Sequence, residues 1–374
     1  MAIQDIQKKL FFIFVILTPL LFNPFSGNTE GVKLIIFAFI SLIFFLLNKN
    51  TAKIIPVLKY SIACLIILGA LSTILSQDIY SAFWGSQDRR FGFYIFLSGL
   101  FLALGMPKLK TKEILNGCII AGTIVSIVAI LLGIFIESSL FEGRISGTMG
   151  NPNLLGQFLL ITLFFSIYRF LENRKNIDIF SIIIQASALI LSGNRASILA
   201  LIITTFLYII ISKKSWKILI YTMIFFGIIC AFSIERILSF QSIQTRLEIY
   251  IAAFKAILKD PFFGVGFENL HYFLKMPETY TLLVDRVHQF FLDYALAAGI
   301  PFVMAFTTLS VSSIVILLKK QKVFGFAFLG LLISLQFNFM GIVDMMMFAI
   351  FIGLAIQSKT IARQSKNFSK RCDF

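Results

Sequence analysis

The chain has 374 residues, 58% of them hydrophobic and only 14% charged, with a mean hydropathy of +0.92. Apolar runs recur from end to end, which is a membrane composition and excludes an ordinary soluble enzyme. The formal net charge of +15 sorts by membrane side, as shown next, and so is not read as nucleic-acid binding.

A hydrocarbon core about 30 Å thick takes roughly 20 apolar residues as helix, and without water the chain must cross as helices or a closed barrel. Runs this long and continuous predict an all-α, polytopic integral membrane protein, with residues 1–374 as a single membrane domain. Candidate spans centre on residues 10–23, 32–47, 58–75, 92–106, 114–136, 153–168, 179–192, 196–212, 218–234, 289–318, 323–343 and 345–358. That makes twelve, with both termini on one side. The first follows Lys8 and Lys9, lacks a small-residue cleavage site after it, and reads as an uncleaved anchor. With both termini inside, the inner segments carry 22 of the 33 Lys and Arg and only 5 of the 18 acids, the expected positive-inside bias. Cys64, Cys118, Cys230 and Cys372 lie far apart and suggest neither a zinc site nor a disulfide framework.

Between the third and fourth spans, Asp88-Arg89-Arg90 is a small outer charge cluster. Between the fifth and sixth lies Gly143-Arg144-Ile145-Ser146-Gly147-Thr148-Met149-Gly150-Asn151-Pro152-Asn153. Asn151 reads as a helix cap with Pro152 at the first helical position, and three glycines allow close backbone approach. An ordinary tight turn would use the same residues.

Residues 179–212 carry one charge, Arg195. An arginine at the bilayer centre costs roughly 2.5–3.5 kcal/mol even on lenient scales, so a lone one is a functional-site hypothesis. The run is short for two crossings and long for one. A tight re-entrant hairpin broken at Ser192-Gly193-Asn194 fits, with Asn194 or Ser192 capping the next helix and Arg195 in its first turn. Free N–H groups and the positive dipole end there favour an anion, as in a phosphate. An arginine that merely snorkels to the interface is the alternative.

The long hydrophilic segment, residues 235–287, is expected outside. Within it Thr245-Arg246-Leu247-Glu248 matches a capping box, and apolar residues from Leu247 to Leu258 recur at helical spacing until Asp260-Pro261. The box would put Arg246 at the first helical position, although a solvated loop arginine is the commoner fate. Phe262-Phe263-Gly264-Val265-Gly266-Phe267 follows as a glycine-punctuated turn, too common a pattern to carry chemistry alone. Val287-His288-Gln289 then enters the tenth span, and His288 is one of only two histidines.

In order, GRISGTMGNPNLLGQ, LSGNRAS, RLEIYIAAFKAILKDPFFGVGFENL and VHQFFLDYALAAGI resemble the family of O-antigen ligases and O-antigen polymerases, polytopic glycosyltransferases of the bacterial cell envelope. The resemblance covers about residues 140–301. It departs at His288-Gln289, where the family usually has His-Asn, and at Ala297-Ala298-Gly299, where it has Glu-x-Gly. Asp293, four residues before Ala297 and so on the same helical face, is a candidate replacement for that acid.

The resemblance implies transfer of a glycan from a polyprenyl (undecaprenyl) diphosphate carrier to an acceptor hydroxyl on the outer face of the bacterial cytoplasmic membrane. By motif position Arg195 and Arg246 would hold the diphosphate and His288 would activate the acceptor. Arg144, Asn151, Asn153, Gly264, Gly266, Gln289 and Asp293 are the further substrate-binding candidates, with Arg89 and Arg90 as secondary contacts. No cofactor is expected, and the absence of an Asp-x-Asp pair points to metal-independent transfer. The partners would be the lipid-linked glycan donor, a glycan, lipid or protein acceptor, and the bilayer. A polymerase of the same family and a multi-span transporter of lipid-linked glycan are the alternatives, although the suspicious residues gather at one face and no repeated halves are visible.

Overall fold

The structure, a computed structural model, describes residues 2–22, 30–48, 54–86, 90–136, 140–141, 143–174, 176–213, 217, 220, 222–224, 226–227, 241–270 and 286–369. It is helical apart from a two-residue antiparallel ribbon, in which Leu140 pairs with Ile145 and Phe141 with Arg144. The helices are α1 (Ala2–Leu20), α2 (Gly31–Leu47), α3 (Pro56–Ile74), α4 (Ile79–Trp84), α5 (Phe93–Gly105), α6 (Thr111–Phe135), α7 (Pro152–Asn173), α8 (Asn176–Ser192), α9 (Arg195–Ile211), α10 (Gln241–Ile257), α11 (Phe290–Ala298), α12 (Ile300–Lys320), α13 (Lys322–Leu335) and α14 (Ile342–Ser369). Among the described residues α3, α6, α7 and α12 are long and apolar enough to cross a membrane, and six shorter apolar helices accompany them. The chain is an integral membrane protein.

α7 is the central helix. It is buried along most of its length, whereas α3, α6 and α12 bury a smaller share of their residues. Its neighbours are α6, α8, α9 and α13. Small residues allow these approaches, as in other membrane bundles: a Cβ at Gly122 of α6 would lie 2.3 Å from Oγ1 of Thr162 on α7. Where side chains turn outward they are large and apolar, among them Phe39, Phe135 and Met304, as a lipid-facing surface requires. Gln185 is buried between helices, its Nε2 donating to Ser166 Oγ at 3.0 Å and Thr123 Oγ1 at 3.1 Å.

Two expected spans are not continuous helices. The tenth, expected over 289–318, is broken at Gly299 between α11 and α12. Gly299 has φ +85, and a Cβ there would lie 2.1 Å from the Phe262 carbonyl oxygen, so the chain turns where only glycine fits. The eleventh, expected to run to 343, ends at Leu335, and residues 336–341 leave the helix before α14 starts. There the Gly341 N–H donates to Asp344 Oδ2 at 2.9 Å. The break at 193–194 falls where the sequence places it, with α8 packing on α6 and α7 and α9 on α7 and α13. Most of the expected ninth span and much of the 235–287 segment lie outside the described residues, as do Asp88 and Arg89.

Candidate functional site

Arg195 is the first residue of α9, and Asn194 caps that helix, its Oδ1 accepting from the Ser197 N–H at 3.1 Å. Asn194 Nδ2 donates to the Asn153 carbonyl at 2.8 Å, which ties the start of α9 to the start of α7. There Asn151 Oδ1 accepts from the Asn153 N–H at 2.8 Å and Pro152 occupies the first turn. Gly156 permits the approach, since a Cβ would lie 2.5 Å from that of Asn194. Asn151, Asn153, Asn194 and Arg195 thus share one end of the bundle, where two helix N-termini supply the positive ends of their dipoles.

The glycine loop before α7 is pinned from below. Lys33 is fully buried at the start of α2, and its Nζ donates to the Thr148 carbonyl at 2.7 Å and to Glu30 Oε1 at 3.1 Å. Thr148 Oγ1 donates to the Pro19 carbonyl at 2.7 Å. Arg144 is half-buried on the ribbon that leads into this loop.

His288 stands at φ +57, a conformation uncommon for a residue with a side chain. Its neighbours hold it there. The Val287 N–H donates to Oδ1 of buried Asp293 at 2.7 Å. Gln289 caps α11, its Oε1 accepting from the Leu292 N–H at 2.6 Å. Arg286 forms a buried ion pair with Glu268, whose Oε2 also accepts from Ser86 Oγ at 2.9 Å. Backbone strain of this kind persists only where the surroundings over-determine it, and it gathers at functional sites.

Arg246 does not begin its helix. α10 starts at Gln241, so the capping box expected at Thr245 is not a helix start, and Glu248 Oε2 is buried without a hydrogen bond. Arg246 instead lies in the second turn and donates from Nη1 to the Phe337 carbonyl at 3.0 Å. The Tyr250 hydroxyl, one turn on, is in hydrogen-bonding reach of Arg246; burial raises its pKa above the usual 10.0 while the arginine's charge partly offsets this.

The turn after α13, Gln336-Phe337-Asn338-Phe339, touches each of these parts. Gln336 Oε1 accepts from Gln289 Nε2 at 3.1 Å, and the Phe337 carbonyl receives Arg246. Asn338 Nδ2 reaches Asn194 Oδ1 at 3.5 Å and the Ser334 carbonyl at 3.2 Å, and the Phe339 ring lies 5.6 Å from that of His288. The eleventh span expected over 323–343 includes this turn, whereas the helix ends at Leu335. Two closely spaced amides followed by a glycine, in an otherwise apolar run, were the available signal.

Gly264 and Gly266 lie at the other end of α11 from His288, about 13 Å along that helix. The N–H groups of Val265 and Gly266 donate to the Leu296 and Ala297 carbonyls at 2.9 and 2.8 Å, closing the helix's last turn. A Cβ on Gly264 would sit 2.4 Å from the Leu296 oxygen. A separate cavity of about 450 Å³, lined by Tyr168, Glu172, Tyr208, Lys320 and Lys322 among others, opens at the opposite end of the bundle.

Fold and cluster together define a helical integral membrane protein with two arginines and a strained histidine gathered at one end. Residues 180–307 match the family model described as O-antigen ligase. This stretch contains Arg195, Arg246 and His288, and the family it is similar to is the one that the sequence motifs resemble. A 158-residue stretch is also 28% identical to the ComP-specific O-oligosaccharyltransferase of Acinetobacter baylyi, covering 37% of this chain and 28% of that protein. The match thus spans little more than a quarter of the relative's length.

Proposed function

We propose that the protein transfers a glycan from a polyprenyl diphosphate carrier to an acceptor hydroxyl at the outer face of the cytoplasmic membrane, as an O-antigen ligase-type glycosyltransferase. The observation that carries this reading is the convergence of Arg246, His288 and Asn194, the cap of the helix that begins with Arg195, on the single turn 336–339. The family match over the same segment supports it.

Arg195 and Arg246 hold the diphosphate. Guanidinium groups suit phosphate oxygens bidentately and keep their charge when partly desolvated. Arg195 acts from a helix start, where the dipole adds to its charge. His288 takes the proton of the acceptor hydroxyl as that oxygen bonds to the anomeric carbon. The bond from that carbon to the diphosphate oxygen breaks, and the carrier diphosphate leaves with the electron pair, its growing charge stabilised by the two arginines. No metal is required in this scheme. Asp293 fixes the backbone beside His288, and Gln289, Asn151, Asn153 and Arg144 surround the donor's sugars and phosphates. Gly264 and Gly266 serve indirectly, by closing the helix that carries Gln289.

The test is glycan transfer by the purified protein in lipid, in the presence of excess chelator, with wild type beside His288→Ala. A protein acceptor is the second reading, favoured by the similarity to an O-oligosaccharyltransferase; supplying lipid-linked core sugar, a second lipid-linked glycan and a candidate protein acceptor in parallel separates the acceptors. A transporter would move the lipid-linked glycan between leaflets and leave every acceptor unglycosylated.

A further inference from the structure

We propose that the turn Gln336–Phe339 is the positioning element of the site, with Asn338 setting the donor-binding arginines and Gln336 setting the loop of the catalytic histidine. This rests on the transfer reading above and adds residues that neither the motifs nor the family match contains, since the match ends at residue 307.

Arg195 and Arg246 are 51 positions apart on separate helices. The turn links these two helices. Its Phe337 carbonyl accepts from Arg246 Nη1 at 3.0 Å. One residue on, Asn338 is 1% exposed and its Nδ2 lies 3.5 Å from Oδ1 of Asn194, the cap that starts Arg195's helix. The same Nδ2 is held by the Ser334 carbonyl at 3.2 Å and Ser334 Oγ at 3.3 Å, and Ser334 Oγ is 3.0 Å from Ser197 Oγ in the first turn of α9. A buried amide network therefore fixes the turn to Arg195's helix while the neighbouring carbonyl fixes Arg246. A diphosphate grips two cations well only if their spacing is set in advance.

Gln336 acts on the other half. Its Oε1 accepts from Gln289 Nε2 at 3.1 Å, immediately after His288, and its own Nε2 donates to the Leu332 carbonyl at 3.0 Å. Phe339 places its ring 5.6 Å from the imidazole. Buried networks of this kind are effective when each member is satisfied, and they lose register when one is removed.

The two amides should therefore separate binding from chemistry. Steady-state transfer and binding of a short-chain polyprenyl diphosphate would be measured for Asn338→Ala and Gln336→Ala, beside Arg195→Ala and Arg246→Ala, with melting temperature as the check on folding. Misplaced reacting groups commonly lose roughly tenfold to a hundredfold. Asn338→Ala is expected to raise Kd and KM for the diphosphate by that factor with kcat within about threefold, and Gln336→Ala to lower kcat by a similar factor with Kd unchanged. A merely structural role would move both constants and the melting temperature together. If the arginine variants lose the diphosphate while Asn338→Ala binds it as wild type does, the positioning inference is overturned and the transfer reading stands. If the arginine variants themselves bind normally, it is the transfer reading that fails. Should Asn338→Ala not fold, Gln336→Ala at its half-buried site decides, and an unchanged kcat there overturns the proposal.

Discussion

In the proposed transfer Arg195 and Arg246 would hold one diphosphate from different supports, a helix start and the second turn of an amphipathic helix. Hydrogen bonds to charged groups are worth about 1.5–3 kcal/mol each, so Arg195→Ala or Arg246→Ala should weaken donor diphosphate binding by roughly tenfold to a hundredfold. Titration calorimetry or fluorescence with a polyprenyl diphosphate checks this, and a Kd unchanged in folded protein would count against both residues. Lysine at either position should restore only part of the affinity, because it cannot form the bidentate fork. For His288 the expected loss on substitution by alanine is in kcat, about 10²–10⁴-fold, with donor Kd retained. The imidazole must be neutral to accept a proton. Wild-type transfer should therefore be lost at acid pH, a limb absent from whatever rate His288→Ala retains.

Two breaks in otherwise apolar runs create the cluster at the level of elements. The first, at Gly299, lets α11 stop short so that residues 261–266 close over its last carbonyls. Gly299→Ala would force a side chain into φ +85 and against the Phe262 oxygen. It should destabilise by about 1–3 kcal/mol from backbone strain alone, visible as a lower melting temperature in detergent, and an unchanged melting temperature would show that the break can be absorbed. The second break, at 336–341, carries the turn on which the site is assembled. Capping residues, glycines and prolines were legible in the sequence, because local chemistry dictates them: Asn194 caps α9 and Asn151 with Pro152 opens α7 as their patterns indicate. The breaks at Gly299 and Gln336 were not. Hydropathy reads a span as continuous whenever its residues are apolar, and only tertiary partners, the Phe262 carbonyl in one case and Gln289 with Asn194 in the other, make the interruption favourable. The misplaced start of α10 has a related cause, since a capping box is a local preference and the helix continues through it.

For the whole molecule, the proposed topology has the positively charged segments at one end of the bundle and Arg195, Arg246 and His288 at the other. In a cysteine-free background, single cysteines at Leu258, which is exposed, and at Lys320 should react with an impermeant reagent from opposite sides of the membrane, Leu258→Cys from outside. Labelling of both from the same side would overturn the topology. The core that holds this arrangement is centred on α7, and its lipid-facing surface is made of the large apolar side chains that the composition already announced. What composition could not reveal is which helices meet, because apolar runs of similar length are interchangeable until small residues such as Gly122 and Gly156 choose their partners.

The most direct measurement is transfer itself. Purified protein in lipid would be given a polyprenyl diphosphate-linked glycan and candidate acceptors in excess chelator, with wild type and His288→Ala compared at equal folded amounts. Wild type is expected to glycosylate one acceptor class and release the carrier diphosphate, and His288→Ala to bind the donor but transfer at a small fraction of that rate. Equal transfer by both forms would remove His288 from the chemistry, and binding without transfer by either form to any acceptor would contradict the assignment as a glycosyltransferase.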